Sequence, residues 1–252
     1  MDARTNLKLI RRVFEEESHK KELKGVLGTT HFKSVYKSLL AIQQRMLKDL
    51  CGSNFEKLME GGSIICIAYA FPEYAIDAIG VKKGDSYDLE AWNSYGREYC
   101  RLNKALDETT ARIADEINGL NIPATMSVPH AKRVEDYYAP AVVSHRVAAE
   151  QAGIGWRGKN ELIVNPQYSC AIRLSSVITN LPLERTPPTD MDCGSCRACL
   201  DACPFLRLKD KLANYREQCM RYLDSLGVIN GVCGMCVKAC YRESIYSDKF
   251  RL

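Results

Sequence analysis

Eight of the twelve cysteines crowd into the last quarter of the 252-residue chain, at spacings typical of metal ligands. A Cys-x2-Cys-x2-Cys-x3-Cys-Pro run extends from Cys193 to Pro204. Runs of this kind bind cubane iron-sulfur clusters, and the fourth cysteine binds the neighbouring cluster. The spacing therefore predicts two 4Fe-4S clusters, one on each of two cysteine sets. The first set is Cys193, Cys196, Cys199 and Cys240, and the second is Cys203, Cys219, Cys233 and Cys236.

Structural zinc is the alternative interpretation of paired Cys-x2-Cys motifs. The unbroken run, the proline after its fourth cysteine and the total of eight ligands favour clusters. The last sixty residues hold ten Lys and Arg against six Asp and Glu, which accounts for the whole net charge of +4. Two oxidised clusters with eight thiolates carry a formal charge of about −4. The basic residues therefore have a local role, and the charge argues little for nucleic acid.

Composition places the chain among ordinary folded proteins, with 46% hydrophobic and 26% charged residues. The longest apolar stretch, about residues 64–71, is much shorter than the roughly 18 residues that a membrane span needs. The first residues are charged and resemble no targeting segment. We therefore expect no membrane association and a cytoplasmic location, where clustered cysteines bind metal in preference to forming disulfides.

The remaining cysteines are scattered. Cys66 in an apolar segment and Cys100 in a helical pattern are expected to be buried thiols that pack as small hydrophobes. For Cys170, which lies beside a turn, a position facing a pocket stays open as an alternative.

Hydrophobic periodicity predicts the elements that position these cysteines. The first sixty residues read as helices, including one with Val35, Leu39, Ile42, Met46 and Leu50 on one face. A buried strand is expected over residues 63–71, a long helix over 92–117, a strand from 122 to 128 and a short helix over 142–152. Residues 162–164 and 171–179 are expected to form a strand pair.

The segment Thr186-Pro-Pro-Thr-Asp190 is the clearest linker. It predicts three regions: an N-terminal helical region over 1–60, an α/β domain over 61–188, and a cysteine domain over 189–252.

A glycine-rich loop precedes the predicted strand pair. It reads Gly153-Ile-Gly-Trp-Arg-Gly-Lys-Asn160. Glycines and a lysine could cradle a phosphate, but this loop follows a helix and enters a strand, the reverse of the dinucleotide and P-loop context. The segment from Ala152 to Pro166, the Val177-Ile-Thr-Asn-Leu-Pro-Leu183 stretch and the cysteine run together resemble the epoxyqueuosine reductase family of iron-sulfur corrinoid proteins.

This resemblance implies an α/β sandwich, similar to the cobalamin domain of reductive dehalogenases and nitroreductase-like folds. It also implies a small bacterial ferredoxin-like domain whose two clusters reduce a base-off corrinoid. The residues that it places at the corrinoid are Ser144, Arg157, Gly158, Lys159 and Asn160. Tyr137 stands where the family carries its proton-donating aspartate, and His145 is a second candidate proton donor or an axial cobalt ligand.

The sequence thus predicts a reductase in which two 4Fe-4S clusters pass electrons to a corrinoid. Its substrate stays open between a small molecule and a corrinoid protein. A ferredoxin or flavodoxin is the expected electron donor. The chain ends soon after Cys240, without the C-terminal repeats with which family members hold tRNA, so tRNA is not expected as a partner. A ferredoxin-like carrier or corrinoid-protein reductase without its own organic substrate is the alternative, and a tRNA-modifying enzyme is the third.

Overall fold

The computed structural model describes residues 2–124, 143–212 and 214–250. The chain divides into two compact units, each assembled from three segments. The sheet unit comprises Met1–Tyr69, Asn103–Trp156 and Arg173–Asp190. The cysteine unit comprises Ala70–Leu102, Arg157–Ile172 and Met191–Leu252. The predicted linker ends where the last of these segments begins. Two segments upstream of it also group with the cysteines, and the three predicted domains stay a prediction.

The described residues form a mixed α/β structure. Its helices are α1 (Ala3–Lys20), α2 (Phe32–Ser38), α3 (Ala41–Cys51), α4 (Phe55–Gly61), α5 (Glu73–Asp77), α6 (Leu89–Ile117), α7 (His145–Gln151), α8 (Ala198–Ala202), α9 (Pro204–Arg207), α10 (Tyr215–Leu226), α11 (Met235–Glu243) and α12 (Ser247–Phe250). Its strands are β1 (Gly25–His31), β2 (Ser63–Ala70), β3 (Lys82–Lys83), β4 (Ser86–Tyr87), β5 (Leu120–Ile122), β6 (Trp156–Arg157), β7 (Ile163–Val164) and β8 (Ile172–Thr179). None of the described helices combines the length and the apolarity that crossing a membrane requires.

The main sheet has the strand order β1-β2-β8-β5. Strand β2 is buried along its whole length, as expected for a β-branched, apolar run in the middle of a sheet. It pairs antiparallel with β1, from Gly25 opposite Tyr69 to His31 opposite Ser63. Gly25 permits this approach, because a Cβ there would lie 2.2 Å from the Ala68 carbonyl oxygen. Strands β5 and β8 also pair antiparallel.

Several element predictions are confirmed. The buried strand is β2, and the long helix is α6, which ends before Asn118 in the left-handed conformation at φ +48°. The short helix is α7. The strand predicted over residues 122–128 is not confirmed, because β5 ends at Ile122 and residues 123 and 124 are not in a strand. The remainder of that predicted strand, from residue 125, lies outside the described residues.

Two predictions in the N-terminal region are wrong. Residues 1–60 are not all helical, because β1 lies among them and joins the sheet. The single helix expected through Val35 and Leu50 is two helices, α2 and α3, separated by extended backbone at Leu39 and Leu40. Ile42, with 48% of its surface exposed, therefore lies on the solvent side of α3. The even spacing of the apolar residues had combined faces of two separate helices into one.

The predicted strand pair is also wrong. Strand β7 pairs with β6 in a separate two-stranded sheet, whereas β8 belongs to the main sheet. A loop that Asn165 closes explains the change: its side-chain oxygen accepts from the amides of Gln167 and Tyr168, and its own amide donates to the Ser169 carbonyl. Asn165 and Ser169 form only an isolated antiparallel bridge, and the two strands that flank this loop enter different sheets.

Within the cysteine unit, the segment 70–102 supports the helix that carries two of the predicted ligands. Lys238 on α11 donates to the carbonyls of Asp77 and Ile79 over 2.8 and 2.7 Å. Arg242 pairs with the carboxylates of Glu73 and Asp77. These contacts fix α11 against α5 and explain why residues upstream of the linker group with the cysteines.

Candidate metal centre

The first predicted ligand set lies on a turn and two helices of the cysteine unit. Cys193 and Cys196 flank a turn in which the Cys196 amide donates to the Cys193 carbonyl over 2.9 Å. Gly194 in this turn has a φ of +45°, a conformation that favours glycine. Cys199 lies on α8 and Cys240 on α11. Burial, followed by repulsion from the other three thiols, raises the pKa of Cys199 to about 11. The four thiols therefore lie within electrostatic reach of one another.

The second set is grouped in the same way. Cys203 begins α9, where the Leu206 amide donates to its sulfur over 3.3 Å. Cys219 lies on α10 and Cys236 on α11. Burial, followed by repulsion from Cys219 and Cys203, raises the pKa of Cys233 to about 12. Burial and then repulsion from Cys233, Cys203 and members of the first set raise the pKa of Cys236 as well.

The donor set fits iron-sulfur clusters. Burial and mutual repulsion raise the pKa values of Cys199, Cys219, Cys233 and Cys236, so these thiols become thiolates only where cations offset their charge. Within the described ranges, no three or more His, Cys, Asp or Glu side chains are arranged to hold one metal ion. In a cubane, each thiolate binds a different iron, so ligands surround the cluster and do not converge on one ion. Backbone amides donate to the sulfurs of Cys203 and Cys233 and would stabilise them as ligands.

The glycine-rich loop is tied to the first cysteine turn. Lys159 Nζ donates to the carbonyls of Gly194 and Cys196 over 2.7 and 2.8 Å. The carbonyl of Lys159 accepts from Lys209 Nζ, which also pairs with Glu161 over 3.2 Å. This lysine therefore anchors the turn between two predicted ligands, and its predicted contact with a corrinoid stays a prediction.

The next residues of the loop also use their polar atoms locally. Asn160 is buried, with its Nδ2 donating to Cys170 Sγ and its Oδ1 accepting from the Leu162 amide, both over 3.2 Å. The Gly158 amide donates to the Leu162 carbonyl, and a Cβ on Gly158 would lie 2.8 Å from Asn160 Oδ1. Glycine is thus required here for loop closure, while Arg157 lies on β6.

Cys170 contacts a predicted cluster ligand. Its side chain and its amide both hydrogen-bond to the sulfur of Cys240. The side-chain hydrogen bond with Cys170 lowers the pKa of Cys240 to about 7. Sequence reasoning left Cys170 between core packing and a pocket, because its spacing from Cys240 carries no motif. The structure shows it buried beside the candidate metal centre.

His145 and Ser144 lie in the sheet unit. His145 Nδ1 is 2.9 Å from Ser176 Oγ, and its Nε2 is 3.1 Å from the Pro123 carbonyl oxygen. The carbonyl can only accept, so Nε2 carries the proton and Nδ1 accepts from the serine. Burial lowers the pKa of His145 to about 4. Both ring nitrogens are used, which favours a structural role over proton donation or cobalt ligation. Ser144 precedes α7 without a side-chain cap.

Tyr137, the other candidate proton donor, lies outside the described residues.

Four basic side chains line a cavity of about 300 Å³ in the sheet unit. They are Arg4, Lys8 and Arg11 on α1 and Arg185 from the segment after β8, with Glu184 as a neighbour. Arg185 donates to the Thr30 carbonyl and to Ser63 Oγ, and burial lowers its pKa. Sequence reasoning missed this group because Arg185 lies far along the chain from the three basic residues of α1.

Comparison with known proteins finds epoxyqueuosine reductases among the relatives of this chain. The chain is 34% identical over 169 residues to the epoxyqueuosine reductase of Listeria monocytogenes, which covers 65% of this chain and 40% of that protein. It is 30% identical over 166 residues to the epoxyqueuosine reductase of Bacillus subtilis, at 66% and 40% coverage. The chain thus spans about two fifths of the length of these curated relatives. No family model matches it.

Solved structures agree on the fold. A selenomethionine-labelled epoxyqueuosine reductase matches 93% of this chain and 65% of its own, with a TM-score of 0.51 and 22% identity. The Bacillus subtilis reductase matches 92% and 65%, with a TM-score of 0.50 and 21% identity. The mixed α/β fold is therefore similar to that of epoxyqueuosine reductases, as the sequence resemblance indicated.

The prediction that tRNA is not a partner is contradicted. One matching structure is an epoxyqueuosine reductase with a tRNA-Tyr epoxyqueuosine-modified tRNA stem loop, and the curated relatives carry the same reductase name. The charge argument failed because a neutral total does not exclude a local basic surface, and the cavity lined by Arg4, Lys8, Arg11 and Arg185 is such a surface.

Proposed function

We propose that this chain is an iron-sulfur reductase in which its eight clustered cysteines hold two 4Fe-4S clusters, and that tRNA carrying epoxyqueuosine is its substrate. The observation that carries the proposal is that all eight cysteines lie within one unit, where Cys199 interacts with Cys193, Cys196 and Cys240, and Cys233 interacts with Cys203 and Cys219. The reductases that resemble the chain support the reaction and the substrate class.

The residues of the cysteine unit would hold and insulate the redox groups. When bound, the clusters would supply one-electron transfer at potentials that hydrogen bonds and burial set. Lys159 fixes the turn between Cys193 and Cys196, and the amide of Leu206 orients the sulfur of Cys203. Removal of an epoxide oxygen as water consumes two electrons and two protons. An external reductant, dithionite in the experiment below, supplies the electrons.

A base-off corrinoid as terminal acceptor is the finer part of this proposal, and it rests on the sequence resemblance. The described loop gives it little support, since the polar side-chain atoms of Lys159 and Asn160 form hydrogen bonds within the cysteine unit. No step is therefore assigned to a corrinoid contact with these residues.

Two measurements test the proposal in order. Anaerobic reconstitution should give about eight irons per chain and EPR signals of two interacting clusters after reduction. The loaded protein, with dithionite, should then convert epoxyqueuosine in a tRNA stem loop, as followed by nucleoside mass spectrometry. A chain that binds zinc or far fewer irons would overturn the cluster assignment. Full cluster loading without turnover, with and without added cobalamin, would overturn the substrate assignment.

A ferredoxin-like electron carrier is the second candidate. The side chains of Lys159 and Asn160 favour this candidate. Both were predicted to contact a cofactor, and both form hydrogen bonds with protein atoms instead. Titration with cob(II)alamin separates the two candidates. Conversion of its EPR spectrum from base-on to base-off supports the reductase with a corrinoid, whereas an unchanged spectrum with both clusters intact supports the carrier.

A further inference from the structure

We propose that the basic cavity of the sheet unit is a binding site for a phosphate group. Its cationic lining is Arg4, Lys8 and Arg11 of α1 and Arg185 of the segment after β8. The described lining belongs entirely to the sheet unit, so this inference goes beyond the redox function and does not depend on the clusters. The backbone of an RNA and a small phosphorylated compound both offer such a group, and the experiment below distinguishes these two sources.

The lining of the cavity has a surplus of positive charge. Four cationic side chains contribute to it, against the single carboxylate of Glu184. Within the described ranges, none of these five side chains takes part in an ion pair. Cations that are fixed around a concave surface and lack a counter-charge attract anions. The charge of the lining therefore favours an anionic ligand.

The three cations of α1 occupy positions that are unfavourable for a helix. Arg4, Lys8 and Arg11 follow one another at spacings of four and three residues, which places them on one face. Like charges at these spacings repel, and Arg4 in the first turn also opposes the positive end of the helix dipole. A bound anion would offset both costs. The side chains form this site, since Asp2 already accepts hydrogen bonds from the amides of Arg4 and Thr5.

Arg185 contributes a guanidinium that the protein already holds in place. Its Nη1 donates to the Thr30 carbonyl over 2.8 Å and to Ser63 Oγ over 2.9 Å. In the part of the chain that the structure describes, its Nε and Nη2 hydrogens have no acceptor. The side chain is half-buried, and its planar fork of N–H groups matches the spacing of phosphate oxygens. A phosphate would therefore supply the acceptors that these hydrogens lack.

The segment that carries Arg185 is attached to β1, the edge strand of the main sheet. The Thr186 amide donates to the Thr29 carbonyl over 3.0 Å, and the Thr29 amide donates to Thr186 Oγ1 over 3.1 Å. The same segment contacts the start of α1, where the Glu184 amide donates to the Ala3 carbonyl over 3.4 Å. Both walls of the cavity are therefore fixed without a ligand, which lowers the entropic cost of binding one.

The size and polarity of the cavity indicate how much of the ligand it holds. Its volume of about 300 Å³ lies at the lower end of the range for ligand pockets. Only Leu7 and Pro187 among its described lining residues are apolar, and no aromatic side chain is among them. A base or another apolar group would gain little contact there. The cavity thus recognises the phosphate itself, and the group attached to it extends outside.

Isothermal titration calorimetry of the full chain with inorganic phosphate, at an ionic strength held constant with chloride, tests the proposal. The wild-type chain should bind one phosphate saturably. Lys8→Gln and Arg11→Gln should each weaken this binding roughly tenfold, as expected for the loss of one hydrogen bond to a charged group. Glu184→Gln removes the opposing carboxylate and should strengthen it. Arg12→Gln is the matched control and should leave the affinity unchanged, because Arg12 lies on α1 outside the cavity lining and pairs with Glu16.

A tRNA stem loop added as a competitor identifies the source of the phosphate. Displacement of inorganic phosphate from the wild-type chain assigns the cavity to an RNA backbone, whereas phosphate that stays bound assigns it to a small phosphorylated compound. The absence of saturable phosphate binding would overturn the proposal, as would equal weakening by Lys8→Gln and Arg12→Gln. Iron content and turnover are measured separately, so a failure of the proposed function leaves this result unaffected.

Discussion

Two buried cysteines, one in each unit, show how surroundings decide what a thiol can do. Cys66 lies in β2 with none of its surface exposed, and burial raises its pKa to about 12. Cys240 is almost as deeply buried, with 8% exposed, yet a side-chain hydrogen bond with Cys170 lowers its pKa to about 7. Burial alone therefore favours the protonated thiol, whereas a hydrogen-bond donor favours the thiolate, the form that binds metal.

The same contrast extends to the units. In the sheet unit, apolar strands and stacked rings such as Phe14 on Tyr69, with centroids 5.6 Å apart, form an ordinary core. In the cysteine unit, several predicted ligands raise one another's pKa values, and the short helices α8 and α9 flank Cys203. If the proposed clusters bind, we expect the cysteine unit to depend on them for stability, while the sheet unit depends on packing.

Loss of a ligand is the strongest test of this contrast. Cys199→Ala should remove one cluster and reduce the iron content from about eight to about four per chain. Cys66→Ala removes an equally buried thiol and should leave the iron content unchanged. Iron and sulfide analysis after anaerobic reconstitution measures both variants. Equal iron in the two variants would contradict the assignment of Cys199.

Packing in the sheet unit is tested at a glycine. A Cβ on Gly28 would lie 1.9 Å from the Ala152 carbonyl oxygen, so Gly28→Ala should destabilise the protein by about 2–4 kcal/mol. Gly61 at the end of α4 has no neighbour within 4 Å of such a Cβ, so Gly61→Ala should change stability by less than about 1 kcal/mol. Urea denaturation followed by circular dichroism compares them. Similar midpoints for the two variants would show that β1 does not approach Ala152 as described.

The neutral imidazole of His145 predicts a pH dependence. Its pKa is lowered to about 4 in the folded chain, so the unfolded chain binds the proton more tightly. Stability from this residue is complete above the ordinary histidine pKa of about 6.5 and falls as the pH drops toward 4, by at most about 3 kcal/mol. His145→Gln should be less stable at pH 7.5 and should lose less stability between pH 7.5 and 5 than wild type. Equal pH slopes in urea denaturation would contradict a buried neutral histidine.

Local patterns predicted much of the fold and the ligand sets, whereas long-range contacts escaped them. The apolar run of β2 and the periodicity of α6 carry their structure in neighbouring residues, so both were predicted correctly. The Cys-x2-Cys spacing likewise gave the candidate ligands, and their assignment to two clusters stays a prediction. The break between α2 and α3 depends on tertiary packing that even spacing does not reveal.

The surroundings of the ligands could not be predicted for the same reason. Lys159 precedes Gly194 by 35 residues, and Cys170 precedes Cys240 by 70, so no local motif joins them. The interleaving of the two units has the same origin, since Lys238 binds carbonyls about 160 residues upstream. Sequence spacing predicts the metal ligands, but only the folded chain shows which side chains contact them.

The smallest expected effect concerns the basic cavity of the sheet unit and the proposed tRNA substrate. If Arg11 contacts a phosphate, Arg11→Gln should weaken tRNA binding severalfold and lower the slope of log K against log salt by about 0.7–0.9. Arg12 is its neighbour on α1 but pairs with Glu16 over 3.8 Å and does not line the cavity, so Arg12→Gln is the matched control. Fluorescence anisotropy with a labelled stem loop at several salt concentrations measures both slopes. Equal slopes would place the tRNA contact elsewhere on the chain, whereas a change confined to Arg11→Gln would give the sheet unit a binding role beside the redox role of the cysteine unit.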